Sequence, residues 1–256
     1  MAVILEAKAL NKSFQVNEQN AQTILKDVDL QINQGEFVTV MGPSGSGKST
    51  LLYNISGMDR ATAGEVQFQG KEITALSEKD LSNLRLCNMG FIFQHIHLLK
   101  NLNILDNIVL SGFLAKKMTR EQVKKRAQQL MERVGISSLM DHDITQASGG
   151  QLQRVAICRA LINSPDILFG DEPTGALNSK SSNDILDILA EINESGTTIM
   201  VVTHDSKVAA KSERVLFMVD GSIVAEKRLG KYDRQSKSSL QAREQELHSW
   251  LTAQGF

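Results

Sequence analysis

Residues Gly42 to Ser49 read GPSGSGKS and follow a short apolar run, Phe37-Val38-Thr39-Val40-Met41. The string fits G-x-x-x-x-G-K-[ST], and it constrains the chain strongly: a strand must deliver it and a helix must leave it. Gly42, Gly45 and Gly47 let the backbone curl, so that successive N–H groups face one point and form an anion nest. A helix starting there aims the positive end of its dipole at the same point. Lys48 adds a cation for β- and γ-phosphates, and the Ser49 hydroxyl is placed to hold Mg²⁺. A plain Gly/Ser turn shares this composition, but the apolar strand before it and the helix after it favour phosphate binding.

A second string, Ile167-Leu168-Phe169-Gly170-Asp171-Glu172, reads as a buried strand ending in two carboxylates. Asp171 can hold Mg²⁺ directly or through water, and Glu172 can polarise a water attacking the terminal phosphate. His204 follows another apolar run, Ile199-Met200-Val201-Val202. A lone histidine is more often structural. At a strand end on the side where phosphates must sit, it becomes a candidate γ-phosphate contact.

The rest of the chain supplies the setting. Val3 to Ala7, the alternating Val28, Leu30 and Ile32, and Gly64 to Gly70 read as further strands. Val215 to Val219 and Ser222 to Glu226 flank Asp220-Gly221, a hairpin signal. Helices are expected over 77–86 and 104–118. Another is expected over Thr119 to Val134, where Thr119 and Gln122 make a capping box and Gly135 a stop. A further one is marked by Ile185, Ile188, Leu189 and Ile192. Strands alternating with helices argue an α/β fold with a mainly parallel sheet. Residues of about 90 to 160 read as helical without strands, an inserted lobe. From Lys231 the chain is polar and ends in a helix with Leu240, Leu247, Trp250 and Leu251 on one face. That helix carries both charge signs, so docking on its own domain or a dimer mate is favoured over a membrane surface.

Composition removes some function classes. Among 256 residues, Lys plus Arg total 28 and Asp plus Glu 29, a formal net charge of -1, so bulk charge gives no support for nucleic-acid binding. Cys87 and Cys158 are lone and far apart, which suits a reducing cytosol. Glu6 breaks the first apolar run, and no stretch approaches the ~18 to 20 apolar residues of a membrane helix. The expectation is a soluble protein that meets a membrane only through a partner.

Ala147 to Gln151 reads ASGGQ. With GPSGSGKS, Asp171-Glu172 and Thr203-His204-Asp205, in that family's order, the chain resembles the ATP-binding-cassette ATPases over about residues 2 to 229. The resemblance implies a P-loop NTPase with a RecA-like core, an antiparallel β subdomain and a helical subdomain over about 95 to 160. Residues 230 to 256 would form a tail. It implies two domains closing head to tail around two ATP molecules. Gly42, Pro43, Ser44, Gly45, Ser46, Gly47, Lys48, Ser49 and Thr50 would hold one nucleotide, and Ser148, Gly149, Gly150 and Gln151 of the other subunit would cap it. Glu172, His204 and Lys48 would be catalytic. Ser49, Asp171 and Gln94 would serve Mg²⁺, with Gln94 also facing a permease, and Phe14 would stack on adenine. Ala147 stands where leucine is usual, at a position that packs rather than binds. Gly170, before Asp171, is expected to loosen local packing. Asn178, in Gly175-Ala176-Leu177-Asn178, stands where aspartate is usual and is expected to alter communication between the two ATP sites.

Gly90-Phe91-Ile92-Phe93-Gln94 with His97-Leu98-Leu99, and Asp171-Glu172-Pro173-Thr174-Gly175, resemble the MacB, LolD and FtsE branch. Gly175 to Ser181 looks most like the BceA-type bacitracin and lantibiotic resistance transporters. That resemblance implies an FtsX/MacB-like integral-membrane permease as partner, an antimicrobial peptide as cargo, and indirect coupling to a sensor kinase. It places the chain on the cytoplasmic face of the cell membrane through that permease. An FtsE-like regulator of a cell-wall process and a LolD-like lipoprotein extractor are the alternatives within the branch. A soluble ATPase acting on nucleic acid or ribosomes is disfavoured by the single P-loop, the single signature and the charge.

Overall fold

The computed structural model describes residues 2–17, 20–233 and 237–255. Residues 234–236 and 256 of the expected tail, and 18 and 19 of the expected nucleotide domain, lie outside the described residues.

Two sheets organise the chain. Strands β1 (Val3–Asn17), β2 (Asn20–Asn33), β4 (Ala63–Phe68) and β5 (Lys71–Glu72) form an antiparallel sheet in the order β2-β1-β4-β5. The other sheet runs β10 (Ser222–Arg228), β9 (Arg214–Val219), β3 (Phe37–Met41), β8 (Thr198–Val202), β7 (Ile167–Asp171), β6 (Met89–Phe93). It is parallel from β9 to β6, with β10 added antiparallel through the Asp220-Gly221 turn. Eight α-helices are described: α1 (Lys48–Ile55), α2 (Glu78–Asn88), α3 (Ile104–Ala115), α4 (Arg120–Arg133), α5 (Gly149–Leu161), α6 (Ser179–Glu194), α7 (Ser206–Ala210) and α8 (Lys237–Ala253). Thr119 caps α4 through the expected capping box, and Gly135 leaves it with φ 71°.

The parallel strands are apolar on both faces, and their residues divide by the two-residue period of a strand. Phe37, Leu168, Ile199 and Val201 face a core shared with α3 to α6. Val38, Val40, Ile167, Phe169, Met200 and Val202 face a core shared with α1 and the antiparallel sheet. The two layers of cover leave the carboxyl edge of the sheet, where the loops emerge, as the place for a ligand.

Three findings revise the sequence reading. Residues 89–93, read as part of a helical lobe, form the edge strand β6, paired in parallel with β7. A Cβ on Gly90 would stand 2.7 Å from the Ala160 carbonyl oxygen, so glycine lets α5 lie close on that strand. Gly170 does not loosen its surroundings. A Cβ there would stand 3.1 Å from Val201 Cγ2, so the glycine admits tight packing against β8. The first hairpin extends well beyond Val3 to Ala7, and non-glycine residues Ala9 and Asp27, each at φ 46°, sit beside its register shifts.

The tail helix docks on its own domain. Leu247 and Leu251 are buried with Met41, Ala209, Ala210 and Phe217, and Trp250 meets Phe217 edge-on at 6.2 Å between centroids. Arg243 on the same helix is also buried and donates to four backbone carbonyls: Ala210 at 2.7 Å, Ser212 at 2.6 Å, Leu229 at 2.8 Å and Gly230 at 3.0 Å. Burial lowers its pKa from the usual arginine value.

Candidate nucleotide site

Three adjacent parallel strands deliver the chemistry to one edge. β3 leads into the glycine-rich loop and α1, β8 is followed directly by Thr203 and His204, and β7 ends at Asp171 with Glu172 next. The loop is gripped from outside. A Cβ on Gly42 would lie 2.0 Å from the Met218 carbonyl oxygen, and one on Gly47 would lie 3.1 Å from that of Ile24. The Gly221 N–H donates to the Ser46 carbonyl at 3.1 Å. Gly45 and Gly47 adopt φ of 82° and 99°, a region costly for other residues.

Lys48, the first residue of α1, is turned back into the loop. Its ammonium donates to the carbonyls of Gly42 and Pro43, both at 2.9 Å. Burial lowers its pKa, while the charges of Glu172 and Asp171 oppose that shift. The Ser49 hydroxyl donates to Asp171 Oδ1 at 2.8 Å, joining the loop to β7. A hydroxyl and a carboxylate are the hard oxygen donors that Mg²⁺ selects, so this pair fits the ion. Ser46 is buried, and its hydroxyl has no partner among the described residues.

Glu172 turns away from the strand with φ 47°, a conformation rare for a residue with a side chain. Its N–H donates to the Val202 carbonyl at 3.0 Å, and its own carbonyl accepts from the Gly175 N–H at 3.0 Å. The turn carries its carboxylate across to the end of β8. There Thr203 Oγ1 donates to Oε2 at 2.8 Å, and His204 Nδ1 lies 2.9 Å from Oε1. The Glu172 carboxylate is mostly buried and the His204 ring mostly exposed. Both line a cleft of about 420 Å³ shared with Gly175, Leu177 and Asp205. A carboxylate held by two groups, with lone pairs still directed into a cleft, is suited to accept a proton from water.

The structure thus brings together Gly42 to Thr50, Asp171, Glu172 and His204. Gln94 directly follows Phe93, the residue paired with Asp171, and its amide lies against Gly175. Phe14 stands exposed on β1, with Lys12 Nζ 4.7 Å from the centre of its ring. Phe14 itself pairs with Gln22, on the strand whose Ile24 carbonyl borders Gly47. Ser148 and Gly149 are exposed at the start of α5. Ser148 and Gln151 form a reciprocal capping box, which uses the Gln151 side-chain oxygen inside the helix end. Beside them, Asn178 caps α6 by accepting from the Ser181 N–H at 2.9 Å, and a Cβ on Gly150 would stand 2.8 Å from Ser181 Oγ. Asparagine therefore fills a helix-cap position that aspartate also suits.

One contact escaped the sequence reading. The Tyr53 hydroxyl donates to Asp171 Oδ2 at 2.5 Å, and burial followed by this bond raises the Tyr53 pKa to about 12. The only advance signal is spacing: Tyr53 lies four residues after Ser49, on the same face of α1.

A family described as ABC transporter matches residues 25–175, more than half of the chain. The chain belongs to the ABC transporter family. It is an ABC ATPase cassette, with the family's α/β core, antiparallel sheet and helical region. It is 42% identical over 224 residues to a macrolide export ATP-binding/permease protein MacB of Hahella chejuensis, covering 88% of this chain and 34% of that protein. The cassette therefore spans about a third of the length of the MacB relatives it matches. It is 40% identical to the ABC transporter ATP-binding protein YknY of Bacillus subtilis, covering 86% of this chain and 95% of that one. A dimeric cassette, MJ0796, solved in a post-hydrolysis state with ADP and Pi, superposes with a TM-score of 0.82 at 38% identity, covering 89% of this chain and all of that one. No described helix of the cassette is long and apolar enough to cross a membrane.

Proposed function

We propose that this cassette binds and hydrolyses ATP to drive a MacB-type membrane permease that handles antimicrobial peptides. The observation that carries the hydrolytic reading is the Glu172 carboxylate, held by Thr203 and His204 beside the Ser49–Asp171 pair. In this reading residues 2–229 are the nucleotide-binding domain and 230–256 a tail whose helix α8 docks upon it. Backbone N–H groups of Gly42 to Thr50 cradle the phosphates, Lys48 neutralises the β- and γ-oxygens, and Phe14 stacks on the base. Ser49 and Asp171, with Gln94 as a further ligand, would hold Mg²⁺, which would supply positive charge against the phosphate oxygens. Glu172 accepts the proton of the attacking water, and His204, already beside it, donates to the γ-phosphate.

Ser148 and Gly149 are exposed at the start of α5, Ser148 bonded to Gln151 and Gly149 beside Leu177. They complete the site of a second cassette, with Gly150 and Gln151 shaping the helix end. The dimeric neighbour MJ0796 supports that arrangement. A groove of about 460 Å³ between α2, β6, α3 and α5, lined by Met58, Leu99 and Leu110 and closed by Phe93 and His97, is the face offered to the permease. The cassette then sits on the cytoplasmic face of the membrane. The BceA-like string from Gly175 to Ser181 supports the peptide cargo and the coupling to a sensor kinase.

The test is affinity purification of tagged Glu172→Gln from its own cells with ATP present, with turnover measured in parallel. The expected result is tight nucleotide binding, dimerisation, turnover below a hundredth of wild type, and an FtsX/MacB-like permease in the captured material. Rapid steady-state hydrolysis removes Glu172 as the base, and capture of soluble partners alone overturns the transporter reading.

A further inference from the structure

We propose that Tyr53 is a positioning residue for the Asp171 carboxylate, holding it in the orientation in which it and Ser49 receive Mg²⁺. The inference rests on the reading of Ser49 and Asp171 as the metal-holding pair. Ser49 and Tyr53 are four residues apart on α1 and stand one above the other on one helix face. They divide the carboxylate between them. Ser49 Oγ donates to Oδ1 at 2.8 Å and Tyr53 OH to Oδ2 at 2.5 Å. A carboxylate held at one oxygen can rotate about its last bond. Held at both by charge-assisted bonds, its plane is fixed.

The fixed plane has a direct effect on Ser49. Its single hydroxyl proton is committed to Oδ1, so its lone pairs are turned away from Asp171 and left free to accept or to ligate. Tyr53 fills one acceptor site of Oδ2, while the Lys48 ammonium is given to the Gly42 and Pro43 carbonyls rather than to this carboxylate. The tyrosine ring is anchored on the core beneath the antiparallel sheet, so the hydroxyl is presented from a packed side chain. Glu172, the next residue, is kept apart by its own bonds to Thr203 and His204. The two adjacent carboxylates therefore take their donors from different elements, one from α1 and the other from the end of β8.

Tying α1 to β7 would stabilise the fold whether or not a metal is held, so the test must separate the two. Tyr53→Phe removes only the hydroxyl. Binding of a fluorescent ATP analogue is measured in EDTA and across a Mg²⁺ titration, together with the Mg²⁺ concentration for half-maximal hydrolysis and the melting temperature. Asp171→Asn is carried through the same series. The expected result for Tyr53→Phe is EDTA binding within about twofold of wild type and a rise of roughly ten- to hundredfold in the Mg²⁺ concentration needed for both readouts, the range set by losing one hydrogen bond to a charged group. If Asp171→Asn loses its Mg²⁺ response while Tyr53→Phe keeps the wild-type midpoint, the positioning role is overturned, even with a lowered melting temperature. If Asp171→Asn keeps the wild-type response, the metal-pair reading falls and the proposal with it.

Discussion

Arg243→Met is the substitution that measures what the tail helix does for the cassette. The wild-type arginine is 7% exposed, and its guanidinium serves the carbonyls of Ala210, Ser212, Leu229 and Gly230. Methionine keeps much of the aliphatic stem and abandons all four acceptors. Each bond to a charged donor contributes about 1.5 to 3 kcal/mol in isolation, but four bonds to one buried cation share a single desolvation cost, so the net loss is about 3 to 5 kcal/mol. For a chain of this size that lowers the melting temperature by roughly 6 to 20 °C. The assay is thermal unfolding followed by circular dichroism and by tryptophan emission. The single tryptophan, Trp250, lies on α8 against Phe217 and reports undocking directly. Arg243→Lys retains a cation without the forked donors and is expected to fall between the two. A drop below about 2 °C for Arg243→Met, with Trp250 emission unchanged, refutes the idea that this side chain fastens the helix.

Lys48→Ala is expected to weaken ATP binding at least about tenfold by calorimetry, since it removes the cation at the phosphate end of the loop. Gly42→Ala places a Cβ at 2.0 Å from the Met218 carbonyl oxygen, so the loop must shift; nucleotide affinity is expected to fall while far-ultraviolet circular dichroism stays native. Of the two tyrosines, Tyr53 should ionise near pH 12 in an absorbance titration at alkaline pH. Its folded pKa is raised, so its contribution to stability is complete below the unfolded value near 10 and is lost as pH rises through about 12.

Much of the site was legible because its residues are local in sequence. GPSGSGKS needs only the strand before it and the helix after it, and Asp171-Glu172 needs only an apolar run. The strands read from alternation, such as Val28, Leu30 and Ile32, appear where expected because one face is buried. β6 was hidden because five residues, MGFIF, carry no period that separates a buried strand from a helix turn; pairing with β7 decides it. The long hairpin past Ala7 was hidden because its outer residues are mostly exposed and its register slips. Tyr53 and Arg243 were hidden for a different reason. Their partners lie 118 residues away in one case and 13 to 33 in the other, and neither a tyrosine on a helix nor an arginine in a polar tail announces burial.

An ammonium has three N–H donors, and two of those on Lys48 are given to the carbonyls of Gly42 and Pro43. The loop holds its own lysine on a short leash. One donor remains, with its bearing set by the backbone rather than by a mobile four-carbon stem. A diffuse anion that could be embraced from any side gains little from such a group, whereas a polyphosphate chain threaded through the loop presents an oxygen in the required direction. Discrimination at this mouth is therefore a matter of aim more than of total charge, and inorganic phosphate should compete poorly even at concentrations far above that of the nucleotide.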